Sequence, residues 1–575
     1  MASIAVANGA CSPDETAPTP DVKLATTEFT VPNNGGTETL SIETNVPLEV
    51  KSADESWCTV AKASGQSKTV LQYTITIKAN EATTSRETEL TISATGYSGK
   101  VVIKQMAGDL ITVTNEVKTY ECENTAGEFT VTLQSTGTFS VNYDCLWISP
   151  TETTGTSVKF SVLTNFGAER TETIQFTCGN STAKFVVKQK AGQSTWSAEE
   201  AIAVAHSLGL GWNLGNQLDA NNGTVSSETV WGNPVTTQAA FYKIAAAGIT
   251  TVRIPVTWLG HFGAAPDYKI NAAWMNRVSE VVGYAENAGL KAVINIFHDG
   301  GSSQHWLNIK DAATNATLNT QIKAQIKAMW TQIAEKFKDK GDFLIFEGFN
   351  EIHDGKWGWG ANLTDGGKQY TVLNEWVQVF VNAVRATGGN NTNRYLSVPG
   401  YVTNPELTIK YLKLPTDIVA NRLIVAVHYY APTDYTLEAK FSEWGHTAAS
   451  DKKDSYGDEA SMRDIFSKLK VKFVDNGIPV YIGEFGCVHR STERAEAFRK
   501  YYLEYLCKAA KDYGLAPFYW DNGSPDAGRE CSGLLNHGTG DYLNNGKEII
   551  DLMVKGATNE DAAYTLESIY NGAPQ

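Results

Sequence analysis

Five ionisable side chains interrupt apolar stretches of this 575-residue sequence. Arg253 lies within Thr251-Val252-Arg253-Ile254-Pro255-Val256, and His298 follows Ile296-Phe297. Glu351 closes the run that begins at Phe343. His428 sits in Val427-His428-Tyr429-Tyr430, and Glu484 in Tyr481-Ile482-Gly483-Glu484-Phe485-Gly486. Burying such groups is costly unless they are paired. An internal ion-pair network would account for Arg253 with one glutamate. It accounts poorly for an arginine, two histidines and two glutamates converging from five segments, and perturbed ionisable groups cluster where chemistry is done. Two carboxylates facing each other suit glycoside hydrolysis. A separation of about 5–5.5 Å gives a covalent glycosyl-enzyme and retention, whereas a wider one admits water and inverts. The sequence leaves that distance open. Other chemistries lack their signatures. There is no H-E-x-x-H, and the nine histidines show no ligand spacing, so no metal is expected. Neither a G-x-x-x-x-G-K-[ST] phosphate loop nor a G-x-S-x-G elbow occurs, and no cofactor is expected.

These segments need a scaffold that points them at one place. From Trp196 onward, short apolar strands alternate with amphipathic helices. Strands are predicted to begin at Leu208, Thr250, Lys291, Phe343, Arg394, Leu423, Pro479 and Ala516. The clearest helix carries Ile322, Ile326, Met329, Ile333 and Phe337 on one stripe. Gly248, Gly289, Gly341, Gly388, Gly477 and Gly514 stand where a left-handed residue closes a helix. Eight strand–helix units predict an α/β TIM barrel, (β/α)8, with a doubly wound sheet as the alternative. In a barrel, the C-terminal strand ends would carry the five groups.

The first third is different. Val102-Ile103-Lys104-Gln105-Met106-Ala107-Gly108 returns as Val187-Lys188-Gln189-Lys190-Ala191-Gly192, and Arg86 pairs with Arg170 at the same offset. Trp57 and Trp147 hold similar places. Alternating stretches such as Leu71 to Ile77 and Phe129 to Leu133, rich in Thr, predict two all-β sandwiches. The chain divides into a tether (1–21), two β-modules (22–108 and 109–192) and a barrel (197–575).

Several ordered words carry a family resemblance. Phe349-Asn350-Glu351, Val427-His428-Tyr429-Tyr430, Ile482-Gly483-Glu484-Phe485-Gly486 and Trp520-Asp521-Asn522-Gly523 resemble glycoside hydrolase family 5. Gly211-Trp212-Asn213-Leu214-Gly215-Asn216, Trp231-Gly232-Asn233-Pro234 and Asn350-Glu351-Ile352-His353-Asp354-Gly355 resemble its subfamily 4. The resemblance implies Glu351 as acid/base and Glu484 as nucleophile. It implies that Asn350 bonds a sugar 2-hydroxyl, that Arg253 and Tyr430 contact Glu484, and that His428 lies beside Glu351. His298 would hold a hydroxyl of the same sugar and Trp520 would lie under its ring. Asn216 joins the binding set. Many relatives have a His pair after the third strand, and Phe297 stands here for its first member. Trp231, Trp258, Trp306, Trp357 and Trp359 fall in loops after strands, and as a set favour an open, endo-acting cleft. Residues 22–192 resemble BACON domains, which implies two all-β immunoglobulin-like sandwiches that serve either in glycan binding or as a spacer.

The implied substrate is a β-1,4-glucan: cellulose derivatives, mixed-linkage glucan or xyloglucan. A mannanase or xylanase on the same barrel, or a non-catalytic glycan-binding surface protein, are the alternatives. Of 14 tryptophans, all but two fall between Trp196 and Trp520, where aromatic faces would meet sugar rings. A net charge of −15 excludes a nucleic-acid partner. No apolar run is long enough to span a membrane. The eight cysteines contain no C-x-x-C pair. Gly9-Ala10-Cys11-Ser12 resembles the end of a bacterial lipoprotein signal. It implies a secreted or cell-surface protein anchored through Cys11, an incidental cysteine in a tail being the alternative; a monomer is expected.

Overall fold

The computed structural model describes residues 19–64, 69–145, 147–165, 169–192, 196–301 and 305–575. Cys11 and most of the tether lie outside the described residues.

Each β-module packs two four-stranded sheets face to face. Alternation builds the core: in Val70–Ile77, Leu71, Tyr73, Ile75 and Ile77 point inward while Gln72 and Thr76 face water. The repeated residues prove to be one closing device made twice. Arg86 lies 4.3 Å over the Trp57 ring and donates from Nε to Gln105 at 2.9 Å. Arg170 lies 4.3 Å over Trp147 and donates to Gln189 at 2.8 Å. Both tryptophans are buried, so the motif holds the sandwich shut and offers no ring to a sugar. Asp109 bridges the modules, accepting from Asn33 Nδ2 at 3.0 Å and from the Asn180 N–H at 2.8 Å. Ile418 of the third unit packs against the second module's core.

That third unit is the predicted TIM barrel. Its eight strands close in chain order: β1 (Gly211–Leu214), β2 (Thr251–Ile254), β3 (Lys291–Asn295), β4 (Leu344–Glu347), β5 (Leu396–Pro399), β6 (Leu423–His428), β7 (Val480–Phe485) and β8 (Leu515–Asp521). Leu208 does not begin a strand; it ends the helix Ala198–Leu208. Ser197 and Glu200 form a reciprocal cap there, and Ala201, Ala205 and Leu208 make a buried helical face that outweighs the strand reading. The stripe from Ile322 to Ile333 lies in the helix Ala316–Lys336, as expected. Of the six helix-closing glycines, all but Gly341 have positive φ.

Register decides what meets inside the barrel. Arg253 pairs with Val293, Val293 with Ile345, and Asn295 with Glu347, so these residues share the inner face. Below, Val293, Ile345, Ile424, Ala426, Tyr481 and Phe518 fill the interior. Above that plug the lining turns polar. Among the described residues, no helix is long and apolar enough to cross a membrane.

Candidate active site

Arg253 is the centre of the polar layer and wholly buried. It donates from Nε and Nη2 to the two oxygens of Glu347, at 2.7 and 2.8 Å. Nη1 reaches Glu484 Oε1 at 2.8 Å and Asn213 Oδ1 at 3.0 Å, and Nη2 reaches Asn350 Oδ1 at 2.8 Å. All five guanidinium N–H groups are thus satisfied, which fixes the fork in one orientation. Burial alone would raise Glu347, but Arg253's charge and hydrogen bonds hold it below the ordinary carboxylate range. Tyr481, whose hydroxyl donates to Glu347 at 2.7 Å, completes that subset.

The two glutamates singled out from sequence meet above it. Glu484 Oε2 accepts from the Tyr430 hydroxyl at 3.0 Å. Glu351 Oε1 lies 2.6 Å from His428 Nδ1, and the same nitrogen is 3.7 Å from Glu484 Oε1. Oxygens of Glu351 and Glu484 lie within 4.8 Å of each other. The spacing fits a nucleophile–acid/base pair and leaves no room for the intervening water of an inverting site. Glu351, His428 and Glu484 also have donors suited to a metal ion, but the Arg253 cation on Glu484 opposes one. Burial pushes Glu351 up to about 7, so it holds a proton in mildly acidic solution. Burial also raises Glu484, against the pull of His428 and Arg253. His428 is pushed down to about 4 by burial and is neutral at the same pH.

Around this pair the other expected residues separate. Asn350 spends its oxygen on Arg253, and its Nδ2 has no acceptor among the described residues, which leaves it for a ligand. Trp520 is half-buried and lies parallel to Phe297 at 5.7 Å. Arg253 sits 5.2 Å over the other ring, so Phe297 braces the platform by packing where a histidine would hydrogen-bond. A Cβ on Gly215 would come within 2.9 Å of Trp520, which is why glycine stands there. His298 is one-third exposed and lies 5.6 Å from Trp231; its Nε2 is 3.8 Å from Asp219. Asn216 adopts a left-handed φ of 56°, its turn held by N–H donation to Asp219. Trp357, stacked on His353 at 4.3 Å, and Trp359 are both exposed in the loop after Glu351.

Trp258 departs from the cleft-lining expectation. Trp258 is fully enclosed and donates to the Asn295 carbonyl at 3.0 Å, so it is a core residue. Half-buried Trp306 donates to Asp299 at 2.7 Å and braces its loop. Glu347, Tyr481, Asn213, Asp219 and Thr403 went unnoticed in the sequence. The glutamate Glu347 was visible as a charge directly after Leu344-Ile345-Phe346, but its partner follows only from the register.

Comparison with known proteins agrees with this geometry. The profile of Cellulase (glycosyl hydrolase family 5) matches residues 216–526, more than half of the chain. The chain belongs to glycosyl hydrolase family 5. The profile of BACON, a putative N-terminal binding domain, matches residues 48–106 and 126–190 ahead of the family 5 barrel. Endoglucanase A of Paenibacillus barcinonensis is 38% identical over 351 residues, which cover 58% of this chain and 85% of that protein. A GH5-4 broad specificity endoglucanase structure from Bacteroides salanitronis is 62% identical, with a TM-score of 0.62, covering 64% of this chain and 97% of that one. A Bacteroides ovatus GH5 xyloglucanase in complex with a XXXG heptasaccharide is 31% identical, with a TM-score of 0.57, covering 78% and 100%.

Proposed function

We propose that this chain is a retaining, endo-acting β-1,4-glucanase in which Glu484 is the nucleophile and Glu351 the acid/base. The close approach of the two carboxylates, within 4.8 Å, carries this reading. Glu484, oriented by Arg253 and Tyr430, attacks C1 while Glu351 protonates the departing oxygen. Glu351 then takes a proton from the water that releases the glycosyl-enzyme. Asn350 Nδ2 bonds the 2-hydroxyl, an interaction that strengthens in the transition state. Trp520 lies under the ring, and His298 and Trp231 flank it. The names of the relatives, endoglucanase and xyloglucanase, favour a β-1,4-glucan backbone as substrate, xyloglucan among the candidates along with cellulose derivatives and mixed-linkage glucan. The first-formed reducing end is therefore expected to be the β-anomer, seen by proton NMR early in hydrolysis; an α-anomer appearing first would reject the pairing.

The β-modules fit a spacer in a secreted or surface-held protein, the spacer reading resting on their tryptophans being core residues. A protein shortened to begin near Trp196 is expected to keep its kcat on soluble oligosaccharides. A folded barrel whose kcat collapses would mean that the modules complete the site. Loss of activity confined to insoluble glucan would indicate that they bind polysaccharide.

A further inference from the structure

His428 Nε2 is buried and has no hydrogen-bond partner among the described residues. The ring edge is packed against the backbone of β7: a Cβ on Gly483 would lie 3.2 Å from Nε2. An N–H at that nitrogen would be a buried donor without an acceptor, the costlier kind of orphan; a bare ring nitrogen there costs less. The other nitrogen has the opposite surroundings. Nδ1 faces Glu351 Oε1 at 2.6 Å and Glu484 Oε1 at 3.7 Å. A lone pair at Nδ1 would point at carboxylate oxygens, one of them ionised for attack.

We infer that neutral His428 carries its proton on Nδ1 and thereby fixes the acid proton of Glu351 on Oε2. The inference rests on Glu351 being the acid/base. Oε1 accepts from His428 Nδ1, and the Thr403 hydroxyl lies 3.5 Å from the same oxygen. Oε2 accepts no hydrogen bond from the described residues, and the Glu351 side chain is 17% exposed. The proton therefore stands on the oxygen left for the substrate. In the first step it passes from Oε2 to the glycosidic oxygen as the bond from C1 to that oxygen breaks and the bond to Glu484 forms. In the second, water gives its proton back to Oε2 as its oxygen displaces Glu484. His428 keeps its own proton throughout. With the opposite tautomer, Glu351 would donate from Oε1 into the imidazole, and its proton would point away from the leaving group. His428 is thus a positioning residue that selects one of two chemically equal oxygens.

Long-range proton–nitrogen NMR of histidine-labelled protein near pH 6 reads the tautomer directly, the His428 signals being assigned by their loss in His428→Asn. A protonated Nδ1 and a bare Nε2 are expected; a protonated Nε2 overturns the inference. Substitution supplies a second reading. The side-chain amide of His428→Asn places an N–H where Nδ1 stands, and that of His428→Gln places one where Nε2 stands. On β-glucan, the Asn variant is expected to stay within about tenfold of the parent and the Gln variant to fall by about 10²-fold or more. On dinitrophenyl β-cellobioside, whose leaving group needs no acid, the two should release the first equivalent of phenol at similar rates. A Gln variant that outperforms Asn on β-glucan overturns the inference. Near-parental turnover by Glu351→Gln would instead remove the acid/base reading, and leaves the tautomer measured by NMR unaffected.

Discussion

Replacing Glu484 by glutamine is expected to lower turnover of β-1,4-glucan by on the order of 10⁴-fold or more, because no covalent intermediate can form. Glu351→Gln should lower it by about 10²–10⁴-fold. The two losses should differ in kind. On dinitrophenyl β-cellobioside the Glu351 variant keeps a fast first step, and then stalls as glycosyl-enzyme for want of a base. Its phenol release is therefore a burst of one equivalent, whereas the Glu484 variant gives none. The pH profile separates them again. Glu351 donates only when protonated, so parental activity should fall as pH rises through about 7. Glu484 attacks only when ionised, which sets the acid limb. In the burst of the Glu351 variant the alkaline limb should vanish. Both variants should retain the parental unfolding temperature within a few degrees, since each keeps the shape of the residue it replaces. A Glu484 variant with a normal burst would end its assignment as nucleophile.

The sequence made the barrel legible because its signals are local. Apolar runs of the right length recur eight times, and Arg253, Glu351, His428 and Glu484 stand out against them as charges in the wrong place. The modules' Arg–Trp–Gln device was visible as a repeat, but its purpose depended on a ring and a guanidinium stacking across two sheets. What stayed hidden depends on register and depth. Glu347 lies in the same apolar strand that leads to Glu351, four positions earlier, yet it points into the barrel at the level of Asn295 while Glu351 rises above the rim. Trp258 and Trp359 both follow strands in sequence, and nothing local distinguishes the ring enclosed behind Asn295 from the one 83% exposed. Phe297 could be read as a missing histidine, but its place between Trp520 and Arg253 needed three strands at once.

Arg253→Met is the second substitution with a large expected effect, and it acts on stability and catalysis together. The guanidinium joins Glu347, which is fully buried, to Glu484, which is nearly so. Removing it leaves Glu347 as an uncompensated charge in the barrel, a situation that typically costs about 3–5 kcal/mol. It also removes the donor that orients Glu484, for which a loss on the order of 10²–10³ in kcat is expected. Adding Glu347→Gln to the same protein separates the two. The amide keeps the shape and can still accept from Tyr481, but it has no charge to strand. The double variant should therefore recover most of the lost unfolding temperature while its kcat on glucan stays low. That divergence is what a purely structural ion-pair network would not produce, because in such a network activity would return with stability. Thermal unfolding and kcat measured on the parent, both single variants and the double variant decide it. Recovery of kcat in the double variant would confine Arg253 to Glu347 and remove it from the chemistry at Glu484.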